Sequence, residues 1–184
     1  FFLALHAKAP DVTYAEATAY LYGLRRFGWR PGLATIERLL TLVDDPQAGM
    51  PCVHIGGTNG KGSTAAMIEA ILRAAGQRTG LYTSPHLLSF TERIRVDGTP
   101  IGESDIVALT ERLKTLSAEH FAPETTFPSS GVLPHPTFFE LTTAMAFLHF
   151  RRRDVDAAVI EVGLGGRLDA RSEERRVGKE CRSR

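Results

Sequence analysis

The stretch Gly56-Gly57-Thr58-Asn59-Gly60-Lys61-Gly62-Ser63-Thr64 lies between a short apolar run, Cys52-Val53-His54-Ile55, and an Ala-, Met-, Ile- and Leu-rich segment reaching Ala75. The run reads as a buried strand and Ser63 to Ala75 as a helix closed by Gly76. Glycines between a strand and a helix let several backbone N–H groups converge on an anion, and the helix N-terminus adds partial positive charge. Lys61 supplies a point charge for phosphate, and Ser63 or Thr64 a hydroxyl for phosphate or Mg²⁺. The strict Walker A spacing fails, because Ile55 stands where its first glycine belongs and Gly62 follows the lysine. A plain glycine turn with a surface lysine is the alternative reading.

Working outward, strand and helix patterns alternate. Thr13 to Tyr22 and Gly32 to Leu42 have helical character, the second with Leu33, Ile36, Leu39, Leu40 and Val43 at three-and-four spacing. Thr79 to Tyr82 reads as a strand, and Arg93 to Ile101 as a hairpin turning at Asp97-Gly98. A helix is expected from Ser104 to Glu119, then a proline-rich loop over 121–136. Thr137-Phe138-Phe139-Glu140 has the capping-box pattern and opens an apolar helix to Phe150. Ala157 to Val162 reads as a central strand that carries one carboxylate, Glu161. The class is α/β, a mostly parallel sheet flanked by helices.

The chain has 184 residues, 43% hydrophobic and 23% charged, with a net charge of +1. That balance excludes disorder of the whole chain, and no global field recruits nucleic acid or an anionic membrane. No apolar run reaches the roughly 18 residues of a membrane span. Cys52 and Cys181 make neither a disulfide framework nor a CxxC metal site.

The glycine loop is joined by Tyr82-Thr83-Ser84-Pro85-His86-Leu87, Thr91-Glu92-Arg93-Ile94 and Glu161-Val162-Gly163-Leu164-Gly165-Gly166-Arg167-Leu168-Asp169-Ala170. Together they resemble folylpolyglutamate synthase/dihydrofolate synthase, a branch of the Mur-ligase superfamily of ATP-dependent amide ligases. The resemblance covers about residues 12–170. It implies a P-loop-containing Mur-ligase-type central ATPase domain that activates a carboxylate as an acyl phosphate, which the amine of L-glutamate attacks. ATP, L-glutamate and dihydropteroate or folate are the implied partners, Mg²⁺ the implied cofactor, and the cytoplasm the implied location.

By the same resemblance Thr58, Asn59, Gly60, Lys61, Gly62, Ser63 and Thr64 cradle phosphate, with Lys61 its cation, and Ser84 and Glu161 hold Mg²⁺. Read from the residues alone, Ser84 is equally a turn serine before Pro85. Glu161 has independent support, since a carboxylate inside Ala-Ala-Val-Ile-Glu-Val is costly to bury unless paired or bound to a cation; an ion pair with Arg or Lys is its alternative. Pterin or folate contacts map onto Arg30, Pro31, Gly32, Leu33, Thr137, Phe138, Phe139, Glu140, Leu168 and Asp169. Capping explains Thr137 and Glu140 equally well, and aromatics opening an apolar helix are more often core. His86 is placed near the site, while His54 reads as a core histidine. Arg151-Arg152-Arg153 reads as a solvated helix end.

After Ala170 the pattern breaks. Residues 171–184 hold six basic and three acidic residues, with Val177 the only aliphatic larger than alanine. They cannot supply a core strand, and a non-native or solvated tail is expected. Residues 1–170 are then a truncated ATP-binding domain lacking the C-terminal glutamate-ligase domain, inactive alone, from a parent expected to be monomeric. A UDP-muramyl-type ligase and a P-loop kinase or NTPase remain as alternatives.

Overall fold

The computed structural model describes residues 12–28, 32–123 and 131–163. Helix α1 spans Tyr14–Gly23 and α2 Ala34–Thr41, joined by a 3₁₀ turn at Leu24–Phe27. Strand β1, Cys52–Ile55, leads into α3, Lys61–Ala74, and then β2, Thr79–Tyr82. A second 3₁₀ turn, Phe90–Arg93, precedes a hairpin of β3, Ile94–Val96, and β4, Thr99–Pro100. Helices α4, Glu103–His120, and α5, Phe138–Arg152, come before β5, Ala157–Glu161.

The sheet order is β1-β5-β2-β3-β4. β1, β5 and β2 run parallel, with Val53, Val159 and Leu81 in one row of the register. β3 and β4 extend the sheet antiparallel. The class is therefore α/β, with the expected parallel centre and the Asp97-Gly98 hairpin making the sheet mixed. Both hairpin residues adopt positive φ, 51° and 77°, which the tight turn requires.

Alternation along the strands sorts two cores. Tyr82, Ala158, Ile160, Ile94 and Val96 join residues of α1, α2, α4 and α5, including Leu21, Ile36, Leu39, Leu113 and Phe147, in the larger core. On the other face Leu81 and Val159 pack with Ala65 of α3, flanked by Ile55, Ile68 and Leu72. Among the described residues the two faces are unequally covered, and α3 is the helix over the smaller core.

β1 departs from the expectation of a buried strand. Among the described residues it pairs only with β5, and Val53 is 37% exposed. An apolar run marks a strand but not its neighbours, and among the described strands β1 occupies the sheet edge. Residues 121–123 and 131–136 contain neither helix nor strand, in keeping with the proline-rich loop expected there. Residues 171–184, where a tail was expected, lie outside the described residues.

Three segments begin with the same device. Thr13 and Glu16 cap α1, Ser89 and Glu92 cap the second 3₁₀ turn, and Thr137 and Glu140 cap α5, each as a reciprocal capping box. In each, a hydroxyl accepts a backbone N–H while the carboxylate accepts the N–H of the capping residue. The second of these sits beside the candidate site.

Candidate functional site

All three parallel strands deliver their C-terminal ends to one place, where open α/β sheets bind ligands. β1 ends at the glycine loop, β2 at Ser84 and β5 at Glu161. In the loop Gly57 and Gly60 have φ of 147° and 75°, values at which a side chain is strained. Gly60 is the N-cap of α3, no side chain caps this helix, and its first turn holds no acidic residue. Its leading N–H groups and dipole therefore face the loop without a carboxylate of the helix's own first turn. Lys61 Nζ donates to the carbonyls of Gly57 at 2.8 Å and Thr58 at 3.3 Å. The ammonium thus folds back onto its own loop. Thr64 Oγ1 donates to Gly60 O at 3.0 Å, which leaves its oxygen lone pairs able to accept, and Thr58, Asn59 and Ser63 are exposed.

Strand alternation points Glu161 to the same face as Val159, the face under α3. Its carboxylate is 5% exposed overall as a residue, and the Ser84 N–H donates to Oε2 at 2.8 Å. A Cβ built on Gly62 would stand 3.7 Å from Oε2 and 3.9 Å from Oε1. The carboxylate therefore lies against Gly62, the position after the lysine, at the start of α3. One hydrogen bond thus joins Ser84 and Glu161, and that pair lies beside the glycine loop at Gly62.

Among the described residues no group of three or more His, Cys, Asp or Glu side chains could hold a metal by itself. A carboxylate and a serine beside the glycine loop fit Mg²⁺, a hard ion that takes one or two protein oxygens and completes its shell with water and substrate phosphate.

The candidate pterin contacts divide. Arg30, Pro31, Leu168 and Asp169 lie outside the described residues. Gly32 is exposed, and Leu33 is buried at the start of α2. Thr137 and Glu140 are buried in the capping box, with Thr137 N–H donating to Glu140 Oε2 at 2.7 Å. Phe138 is buried among Tyr22, Phe90 and Phe139, at ring-centroid distances of 6.0, 6.3 and 5.5 Å. Phe139 is half-buried, so of the two rings it has the more accessible face.

His86 connects this aromatic cluster to the Ser84 loop. Arg93 Nε donates to His86 Nδ1 at 2.8 Å, and Tyr22 Oη lies 3.3 Å from Nε2. Nδ1 must accept, so the neutral ring carries its proton on Nε2. Burial, then the Arg93 charge, holds the His86 pKa below its ordinary value; Glu92 opposes this and Arg25 adds to it. Arg25 stacks over Tyr22 at 4.7 Å and Phe138 at 5.0 Å. Sequence reasoning assigned no role to Tyr22, Arg25, Glu92 or Arg93. For Glu92 a signal existed, the Ser89-x-x-Glu92 spacing of a capping box. For Tyr22 none did, since His86 and Phe138 are distant in sequence; Arg25 and Arg93 each meet a near neighbour, Tyr22 and His86, across turns that no spacing rule marks.

No family model matches the chain. A probable bifunctional folylpolyglutamate synthase/dihydropteroate synthase of Haloferax volcanii is 45% identical over 159 residues, 86% of this chain and 18% of that protein. A dihydrofolate synthase/folylpolyglutamate synthase of Bacillus subtilis is 37% identical over 158 residues, 85% of this chain and 35% of that protein. The crystal structure of a folylpolyglutamate synthase from Thermotoga maritima superposes with a TM-score of 0.74 at 45% identity, over 85% of this chain and 34% of that one. The chain is a homologue of the folylpolyglutamate/dihydrofolate synthases. It spans between about a fifth and just over a third of the length of these synthases. No described helix is long and apolar enough to cross a membrane.

Proposed function

We propose that this chain is the ATP-binding part of a ligase that joins L-glutamate to dihydropteroate or to the glutamate tail of a folate. The observation that carries this reading is the meeting of three strand ends: an α3 N-terminus with no side-chain cap, the loop lysine folded across it, and Glu161 held to Ser84 opposite Gly62. The names of the homologues supply the substrate class.

A carboxylate is a poor electrophile, so it must be activated. In the proposed sequence a carboxylate oxygen of the pteroate or folate attacks the γ-phosphorus of ATP and ADP leaves. The α-amine of glutamate then attacks the acyl carbon, phosphate departs, and the amine loses a proton as the amide forms. The backbone N–H groups of residues 58–63 bind and orient the phosphates. Lys61 exchanges the carbonyls of Gly57 and Thr58 for phosphate oxygens and balances the charge that spreads over them. Ser84 and Glu161 would hold Mg²⁺, which when bound neutralises phosphate charge. Gly32, Leu33, Thr137, Phe138, Phe139 and Glu140 are proposed for the pterin side, with Phe139 offering the more accessible ring.

Glutamate binding and completion of the nucleotide site fall to sequence beyond these 184 residues, in a parent proposed to be a cytoplasmic monomer. The chain alone is therefore expected to bind Mg²⁺–ATP without ligating glutamate. Calorimetric titration with ATP, with and without Mg²⁺, tests the first half. Glutamate incorporation into dihydropteroate and tetrahydrofolate tests the second, and turnover by the 184-residue chain refutes the need for further sequence. Absence of Mg²⁺-dependent ATP binding by a folded chain refutes the nucleotide reading itself.

A further inference from the structure

We propose that Glu92 is a positioning residue that fixes the Ser84 loop against Glu161 by holding the backbone amides of Leu87, Leu88 and Ser89. The inference rests on the reading of Ser84 and Glu161 as part of the nucleotide site, and deepens it.

Leu87 N–H donates to Glu92 Oε2 at 2.9 Å, while Leu88 and Ser89 N–H donate to Oε1 at 2.9 and 2.8 Å. Three consecutive amides thus converge on one carboxylate, the arrangement that otherwise binds an anion. These bonds hold the Glu92 carboxyl at about 2, well below its ordinary value of 4.5. A capping role requires only the Ser89 amide; the amides of Leu87 and Leu88 lie outside the turn being capped.

Burial does not hold this segment. Leu87 is 90% exposed and Leu88 94%, so neither side chain gains from packing. Polar ties replace it, and they come from two adjacent residues: Glu92 takes the three amides and Arg93 takes His86. Arg93 O also accepts the Thr83 N–H at 2.9 Å. Ser84 is therefore suspended between Thr83 and His86, both tied to the 3₁₀ turn, while its own amide reaches Glu161. Loosening residues 87–89 removes one side of that suspension.

The test compares Glu92→Ala, Glu92→Gln and Ser89→Ala in the 184-residue chain. Ser89→Ala removes the capping hydroxyl and leaves every amide bond to Glu92 in place. Amide hydrogen exchange is followed at Ser84, at 87–89 and, as a folding control, at Val159. In Glu92→Ala, Ser84 exchange is expected to quicken by about tenfold or more with Val159 unchanged. Glu92→Gln, which keeps an acceptor oxygen, should fall between it and wild type, and Ser89→Ala should match wild type at Ser84. The Mg²⁺-dependent gain in ATP affinity should fall about tenfold in Glu92→Ala, while affinity without Mg²⁺ stays constant. Unchanged Ser84 exchange in both Glu92 variants overturns the proposal, as does equal acceleration in Ser89→Ala. If the wild type shows no Mg²⁺-dependent binding, the nucleotide reading falls, and Ser84 exchange alone decides whether Glu92 positions the loop.

Discussion

Replacing Gly80 by alanine tests how tightly β2 is held beneath α5. A Cβ at Gly80 would stand 2.9 Å from both Cδ1 and Cε1 of Phe150 and 3.0 Å from Cγ. Carbon atoms prefer about 3.5–4.0 Å, so the added methyl is short of that spacing by about 0.5–1 Å. The backbone cannot retreat, because Gly80 pairs with Val96 on one side and Ala158 on the other. Phe150 is fully buried and cannot swing into solvent. Overpacking of this kind costs about 1–3 kcal/mol. Loss of glycine's freedom in the unfolded chain offsets about 0.4–1 kcal/mol of it. A net loss of about 1–2 kcal/mol lowers Tm by roughly 2–8 °C for a domain of this size. Thermal melts followed by circular dichroism measure it, and Gly80→Ala/Phe150→Leu supplies the coupling. The smaller side chain should make the double variant more stable than the sum of the single losses. A Gly80→Ala protein that melts at or above the wild-type temperature refutes the packing argument.

Three further outcomes are expected. Glu161→Gln keeps an oxygen to accept the Ser84 N–H but removes the charge; Mg²⁺-dependent ATP affinity should fall about 10- to 100-fold with Tm near wild type, read by calorimetry and a melt. Lys61→Met deletes a charge-assisted contact of about 1.5–3 kcal/mol to phosphate. It should weaken ATP binding without lowering Tm, because among the described residues the ammonium bonds only its own loop. His149 faces Asp105 at 3.8 Å, and burial lowers its pKa below the ordinary 6.5, with Arg153 and Arg152 adding to the shift and Asp105 opposing it. The unfolded chain then takes up the proton first, so this stability is complete above pH 6.5 and declines as pH falls through the folded pKa. Melts across that range should show the decline, and His149→Gln should flatten it.

Several elements could be read from local pattern. Cys52–Ile55 and Thr79–Tyr82 emerge with the expected bounds, because short apolar runs between glycine and proline leave little choice. The α5 start was legible because Thr137 and Glu140 write a capping box into four residues. Neighbourhood was not legible. The apolarity of Val53 could not reveal that β1 takes the edge among the described strands, since that depends on sheet order rather than composition. Phe138 and Phe139 are adjacent and chemically alike, yet helix phase buries the first and leaves the second half-open. At the site Glu161 announced itself through the cost of a charge within an apolar strand. Ser84 did so only through the resemblance, because a serine before proline is ordinary turn chemistry. The tie from Tyr22 to His86 left no local trace, since it joins segments 64 residues apart, and the tie from Arg93 to His86 spans an irregular loop with no periodic spacing to announce it.

The unequal covering of the sheet bears on how the molecule comes apart. The larger core engages α1, α2, α4 and α5, whereas α3 is fastened over Ala65, Leu81 and Val159 with Ile68 and Leu72 half-buried. Met67 and Ile71 on its outer side are exposed. Less buried apolar area means a smaller free-energy gap to local opening, so α3 is the layer that separates first. The proposed phosphate loop is anchored to that layer. Nucleotide bound at the proposed loop would therefore act as a rivet: it would couple the least-buried helix to the strand ends of the larger core, and the order of unfolding would itself become a record of occupancy.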